Sequence, residues 1–242
     1  DKVEPTSPMT NEIVIIKDIY YSDGYINTPS KQKIKLYMDK YEIPTNLSNL
    51  FRQCVILVHG GNFDSGDKAK KEIVNTAKFL AKSGYTVFCI NYRLEKNNPP
   101  APFPYNGNKT TAAAHAAVVD LKSAIRYIKG NSIKLKIEKD RIILLGESAG
   151  AIASIAAGVT DNTKFISDGT SYEIQNKQYL NKPPEKVYKI VSLWGSGTFV
   201  LNELDKTDPP LMIVHGTKDK TLGASFLESI LLSSQCKKVG MI

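Results

Sequence analysis

The sequence contains few of the residues that form disulfides or bind metals. Its three cysteines, Cys54, Cys89 and Cys236, lie far apart and form no Cys-x-x-Cys pair. This spacing argues against a disulfide framework and against a zinc site. Cys54 and Cys89 fall in apolar runs and are expected to be buried free thiols, while a disulfide through Cys236 stays open. No metal or other cofactor is expected.

Long apolar segments and basic clusters are also missing. No run of eighteen or more apolar residues occurs, so no membrane-spanning helix is predicted. The formal net charge of +8 comes mostly from lysines spread along the whole chain, and no basic cluster with interleaved aromatic residues is found. Nucleic acid is therefore not expected as a partner. Two glycosylation motifs, at Asn46 and Asn108, leave secretion open, and no pattern indicates the oligomeric state.

The length and composition of the chain predict one folded domain. A chain of 242 residues, 42% of them apolar and 23% charged, is long enough and apolar enough for a single domain over residues 1–242. Residues 161–184 interrupt the pattern because they are polar, rich in Lys and Asn, and end at Pro183-Pro184. We expect this stretch to be a short surface insertion.

Strand-like and helix-like patterns alternate along the chain. Residues 11–21 and 33–41 alternate apolar and polar side chains, which predicts an antiparallel pair at a sheet edge. The next strand-like runs are short and almost wholly apolar, as in parallel strands buried on both faces: 54–58, 86–90, 141–145, 189–193 and 211–214. Helical segments are predicted at about 68–83, 110–130, 148–158 and 224–238. The expected fold is α/β, with an open, mostly parallel doubly wound sheet and an antiparallel N-terminal strand pair.

The strongest local signal is the motif Gly146-Glu147-Ser148-Ala149-Gly150, between a predicted strand and a small-residue helix. A nucleophile on a strained strand-to-helix turn needs small residues two positions to either side, because the flanking backbone comes too close for a Cβ. The start of the helix also directs N–H groups at the serine. We therefore predict Ser148 as a nucleophile; the alternative is an ordinary glycine turn.

A second motif, His59-Gly60-Gly61-Asn62-Phe63, follows the first apolar run. A glycine-rich loop can bring backbone N–H groups close to a carbonyl oxygen that becomes negative during a reaction. We predict Gly61 and Asn62 as oxyanion donors together with Ala149, and His59 as a loop anchor. The alternative is a plain β-turn.

A third candidate residue is Asp219, in His215-Gly216-Thr217-Lys218-Asp219 directly after the last apolar run. Open α/β sheets place their sites at this end of the strands, and an acid there could fix the tautomer of a catalytic histidine. An exposed turn aspartate is the alternative.

Taken together, the motifs GESAG and HGGNF resemble the α/β-hydrolase fold, and more closely the serine carboxylesterases of the carboxylesterase and hormone-sensitive-lipase-like branch. The resemblance extends over about residues 11–242, although Asn62 stands where that branch usually has a third loop glycine. It implies that Arg93 and Asp120 are structural and that Glu147 orients the elbow.

The same resemblance implies a catalytic histidine after the acid, but none of His59, His115 and His215 follows Asp219. A further helix, strand and two connections need about 20–30 residues. The predicted helix 224–238 takes most of what remains, so the last strand and this histidine are expected beyond Ile242.

The expected function is hydrolysis of carboxylic esters through an acyl-enzyme, with Ser148 and Asp219 catalytic and Gly61, Asn62 and Ala149 binding the oxyanion. Without a large cap, the substrates would be small or exposed esters, including acyl groups on polysaccharides. One alternative is a catalytically inactive hydrolase-like binding protein, and another is an enzyme that takes its base from elsewhere. The pattern does not separate esterase from thioesterase, amidase or lactonase chemistry.

Overall fold

The structure is a computed structural model that describes residues 12–28, 32–44, 50–100, 108–160 and 186–241. These residues contain one seven-stranded sheet in the order β1-β2-β4-β3-β5-β6-β7. The strands are β1 (Val14–Tyr25), β2 (Lys33–Glu42), β3 (Arg52–Val58), β4 (Thr86–Ile90), β5 (Ile137–Glu147), β6 (Lys189–Leu193) and β7 (Leu211–Val214). The helices are α1 (Lys71–Lys82), α2 (Lys109–Gly130), α3 (Ser132–Leu135), α4 (Ala149–Val159) and α5 (Phe226–Val239). Short 3₁₀ helices span Glu95–Asn97 and Thr198–Glu203.

The pairing of the strands confirms the predicted fold class. β1 and β2 are antiparallel, as are β2 and β4, whereas β3, β4, β5, β6 and β7 run parallel. After β3 the chain forms β4 on one side of β3, and it then crosses over to form β5 on the other side of β3. In an open α/β sheet a crevice forms at such a reversal, at the carboxyl ends of the strands. The loops that follow β3 and β5 therefore meet at one edge of the sheet.

Helices cover the two faces of the sheet unequally. α1 packs on β2 and β4, while α2 and α4 lie on the opposite face. One face of α2 is buried, with Ala117, Leu121, Ala124 and Ile128 all inaccessible to solvent. Asn131 is the C-cap of this helix, and its side-chain amide donates to the carbonyl of Tyr127 at 2.8 Å.

The expectation that all five apolar runs are buried on both faces is wrong for β7. Met212 is 60% exposed and Val214 41% exposed. Met212 lies opposite Val191, which lies opposite Leu145, so one apolar row crosses three strands. β7 is the last strand of the described sheet, and α1 covers only the part of this face near β2 and β4.

Arg93 and Asp120 form a buried ion pair, as their structural role implies. The guanidinium donates to Asp120 at 2.6 Å and to the carbonyl of Tyr25 at 2.9 Å, and neither charged side chain is exposed. Such a pair is costly to break because the remaining charge is left buried. The contact ties the end of β1 to α2.

Other predictions concern the cysteines, the insertion, and membrane or metal sites. All three cysteines are free thiols, and the two expected to be buried are so. The predicted insertion at 161–184 lies outside the described residues. Within the described part of the chain, no helix is long and apolar enough to cross a membrane, and no cluster of three potential metal ligands is found.

Candidate active site

Ser148 occupies the turn between the last residue of β5 and the first residue of α4, in a strained conformation. Its φ is 51° and its ψ is −120°, a region that side-chain-bearing residues rarely adopt. Holding such a conformation costs about 1–3 kcal/mol and requires support from the surrounding structure. Part of that support is the Ser148 N–H, which donates to the carbonyl of Leu193 at 2.9 Å.

Steric contacts explain why glycine occupies the positions two residues before and two residues after Ser148. A Cβ on Gly146 would lie 2.2 Å from the carbonyl oxygen of Gly150. A Cβ on Gly150 would lie 2.2 Å from the oxygen of Val58 and 2.5 Å from that of His59. All three obstacles are backbone atoms, which cannot move aside cheaply. The turn therefore needs both glycines, as the motif indicates.

The loop after β3 lies against this turn. The N–H of Gly60 donates to Glu147 Oε1 at 3.2 Å, and a Cβ on Gly60 would lie 3.1 Å from the Cβ of Ser148. Glu147 thus connects the serine turn to the loop that was predicted to hold the oxyanion.

The backbone of that loop adopts positive φ values at successive residues. Gly61 has a φ of 124° and Asn62 a φ of 54°. Asparagine tolerates the left-handed region better than most residues, which explains how Asn62 replaces a glycine here. Among the described residues, neither the Gly61 N–H nor the Asn62 N–H has a hydrogen-bond acceptor. Ala149 is the first residue of α4, where no preceding turn supplies an acceptor.

His59 is an anchor for this loop. Its ring is buried, stacks on Tyr92 at 4.3 Å between centroids, and places Nδ1 2.8 Å from the carbonyl of Gly60. The Tyr92 hydroxyl in turn donates to the His59 carbonyl at 2.8 Å. Burial lowers the pKa of His59, which favours the neutral ring.

Asp219 lies in the loop after β7, two strands away from the strand that carries Ser148. Its Oδ1 accepts from the Thr221 hydroxyl at 2.7 Å and from the Thr221 N–H at 2.9 Å. Its Oδ2 lies 3.2 Å from Nε2 of His215. The Thr221 hydroxyl, its N–H and the His215 ring lower the pKa of Asp219, so the side chain is an anion at neutral pH.

His215 links Asp219 to the loop that follows β6. Its Nδ1 lies 2.6 Å from the Ser229 hydroxyl, which also lies 3.2 Å from the carbonyl of Gly195. Sequence reasoning missed this chain of contacts, and it also missed Trp194, the residue before Gly195. The available signal was a bulky aromatic residue directly after an apolar strand and before Gly195-Ser196-Gly197.

Comparison with known proteins identifies the family of this chain. The family model described as BD-FAE matches residues 38–204, which is more than half of the chain. No curated protein matches the sequence.

Solved structures share the fold. Esterase 2 of Thermogutta terrifontis, phosphonylated by sarin, superposes with a TM-score of 0.67 at 16% identity, covering 99% of this chain and 83% of that one. The butyrate-bound form of the same thermophilic esterase gives 0.63 at 18% identity, covering 91% and 80%. A truncated carbohydrate esterase from gut microbiota gives 0.64 at 19% identity, covering 94% and 84%. At these identities the likeness establishes the α/β-hydrolase fold.

Proposed function

Because this chain belongs to the BD-FAE family, an α/β-hydrolase-type family, we propose that it hydrolyses carboxylic esters with Ser148 as the nucleophile. The observation that carries the proposal is the strained Ser148 beside a loop whose Gly61 and Asn62 amides have no described acceptor. Strain of this kind persists where the surrounding structure enforces it, and it concentrates at active sites.

The reaction begins when Ser148 Oγ attacks the ester carbonyl carbon and gives up its proton. The carbonyl oxygen becomes negative and accepts hydrogen bonds from the N–H groups of Gly61, Asn62 and Ala149. Amides that are already oriented stabilise this charge without reorganising, and one such donor is worth about 10²–10³ in rate. The alcohol then leaves with the proton that Ser148 gave to its base, water attacks the acyl-enzyme and passes a proton to the same base, and the carboxylic acid is released as Ser148 Oγ takes that proton back.

The reaction also needs a base that accepts the proton of Ser148. In the described ranges, no hydrogen bond joins the Ser148 hydroxyl to a histidine. His59 contacts Gly60, and His215 contacts Asp219 and Ser229. We propose that Asp219 acts as the acid that orients and stabilises a histidine base, as in Ser-His-Asp triads.

One structural neighbour supports a proposal for the substrate class. A carbohydrate esterase has the same fold, which supports small esters and acyl groups carried on polysaccharides as candidates.

The proposal is tested by p-nitrophenyl acetate hydrolysis and by trapping the serine. We expect Ser148→Ala to reduce turnover to the background rate, and a fluorophosphonate to add to the peptide that contains Ser148. Ser123→Ala is the matched control, because that hydroxyl lies on α2 and donates to the carbonyl of Val119. Unchanged turnover in Ser148→Ala, or labelling of another serine, would refute the assignment.

A second candidate is a binding protein of this fold without catalysis. It is favoured by the contacts of Asp219, since Oδ1 is held by Thr221 and Oδ2 by His215. Under this alternative the fluorophosphonate does not react with Ser148, while an ester still binds with the same affinity to the protein and to Ser148→Ala.

A further inference from the structure

Trp194 has an unusual backbone for so large a residue. It follows β6 directly, its φ is 45°, and its side chain is 42% exposed. A bulky residue with a positive φ is an outlier, and such outliers persist where the surrounding structure enforces them. An indole that served only to fill the core would be buried, so core packing does not account for this position.

The neighbours of Trp194 on both sides touch the serine turn. The carbonyl of Leu193 accepts the N–H of Ser148 at 2.9 Å. A Cβ on Gly195 would lie 2.4 Å from the Cβ of Ala151, in the first turn of α4. The backbone of Trp194 therefore runs alongside the residues that hold the nucleophile.

Further contacts fix this stretch of chain. The N–H of Trp194 donates to the carbonyl of Val214 at 2.7 Å, and a Cβ on Gly197 would lie 2.9 Å from the side chain of Leu232 on α5. The Gly195 carbonyl lies 3.2 Å from the Ser229 hydroxyl. The loop is thus held by β7, α4 and α5, while the indole keeps much of its surface open to solvent.

We propose that Trp194 is a specificity-determining residue that stacks on a ring of the substrate while the ester group lies at Ser148. The inference rests on the proposed esterase function and adds the recognition of a ring close to the ester bond. An indole face recognises an aryl ring by stacking and the C–H face of a pyranose by the same apolar contact. The ring can belong to the acyl group or to the alcohol, and the experiment separates these two sources.

Binding is measured through the indole itself, because Trp194 is the only tryptophan in the chain. Ser148→Ala is titrated with methyl 3-phenylpropionate, which carries the ring on the acyl side, and with a methyl 6-O-acetyl-glucoside, which carries it on the alcohol side. Methyl butyrate and ethyl acetate are the ringless partners. We expect a saturable change in indole emission with one of the ring esters and none with its ringless partner. Calorimetric binding of both ring esters without any change in emission would overturn the proposal.

Turnover gives the second readout. In Trp194→Gly the ring is lost and the positive φ becomes favourable, so the fold is retained. The ratio of kcat/KM for the preferred ring ester to that for its ringless partner is expected to fall about tenfold, which corresponds to about 1.4 kcal/mol. Trp194→Phe should recover part of this ratio, because it restores an aromatic face.

Phe79→Leu is the matched control, since Phe79 is a 69% exposed aromatic residue on α1 and lies in no candidate site. Its ratio should equal that of the wild type. An equal loss for ring and ringless esters in Trp194→Gly would refute ring recognition while leaving the role of Ser148 intact. If Ser148→Ala retains full turnover, the esterase assignment fails instead, and the emission titration still decides whether Trp194 binds a ring.

Discussion

His215 Nε2 lies 3.2 Å from Oδ2 of Asp219, so the residue predicted as the catalytic acid already contacts a histidine from its own loop. The other ring nitrogen of His215 faces the Ser229 hydroxyl at 2.6 Å. Because an ionised carboxylate only accepts hydrogen bonds, a neutral His215 donates its Nε2–H to Asp219, and its Nδ1 accepts from the Ser229 hydroxyl. The proton arrangement around Asp219 is therefore coupled to the loop that carries Trp194.

The first prediction concerns the pKa of Asp219. The Thr221 hydroxyl and N–H are the largest causes that lower it, with His215 adding to them. In Thr221→Val the hydroxyl is lost, so the pKa of Asp219 should rise toward its ordinary value. Carboxyl ¹³C NMR titration measures this change. A titration curve for Asp219 that does not move would show that Thr221 is not the main cause.

The lowered pKa of Asp219 also predicts how the stability of the fold changes with pH. Because the folded-state pKa lies below the unfolded one, the ionised Asp219 stabilises the fold above the ordinary carboxyl range. This contribution is lost as the pH falls through the folded pKa. Thr221→Val should therefore lose less stability than the wild type on acidification below about pH 4.

The second prediction concerns His59, whose pKa is lowered by burial. Near pH 6 the unfolded chain is protonated at this position to a greater extent than the folded chain, so the free energy of unfolding falls as the pH drops below about 6.5. One such proton accounts for a slope of up to about 1.4 kcal/mol per pH unit. Urea unfolding between pH 5 and 8 should give a smaller slope for His59→Gln than for the wild type. Equal slopes would contradict a buried neutral His59.

The regular elements of the fold were largely predictable from the sequence. The bounds of β4, β6 and β7 agree with their apolar runs. β4 is buried along its whole length, as expected of a strand that is covered on both faces of the sheet. β5 begins at Ile137, four residues before the predicted start. The apolar pattern missed this part of the strand because Lys139, Asp140 and Arg141 are polar and exposed. α3 was missed because four residues are too few to show a helical period.

The candidate site was predictable where backbone sterics decide the residue type. Gly146 and Gly150 are required by close approach of backbone atoms, and this requirement is visible in the sequence as a motif. The contact between His215 and Ser229 and the φ of Trp194 were not predictable, because they depend on how loops after different strands pack together. No local pattern records such contacts between distant residues.

The third prediction concerns the exposed apolar side chains of β7. Apolar edge strands of this kind promote association between molecules, and Met212 contributes one of the most exposed apolar side chains on that strand. Met212→Lys should reduce both binding of an apolar fluorescent dye and self-association in sedimentation velocity, with a change in stability within about 0.5 kcal/mol. Ile133→Lys is the control, because Ile133 is 81% exposed on α3 and lies away from the sheet edge. An equal effect of both changes would mean that β7 is not the associating surface.

The fourth prediction joins the fold to the candidate site through Gly150. A Cβ at this position meets the carbonyl oxygens of Val58 and His59, which belong to the end of β3 and to the start of the loop that we propose binds the oxyanion, here called the oxyanion loop. Gly150→Ala should therefore push that loop away from Ser148 and cost about 1–3 kcal/mol in the free energy of unfolding. A displacement of about 1 Å at a reacting group can cost about 10² in rate, so turnover should fall more than stability suggests.

Gly130→Ala is the matched change, because Gly130 ends α2 and a Cβ there meets no atom within 4 Å. Alanine is the better helix former, so this variant should gain about 0.5–1 kcal/mol and retain full turnover. Urea unfolding and p-nitrophenyl acetate hydrolysis of both variants separate the two positions. If Gly150→Ala folds and turns over like Gly130→Ala, the serine turn and the oxyanion loop are not held together by backbone contact. The close approach of Val58, His59 and Gly150 would then have no part in forming the site.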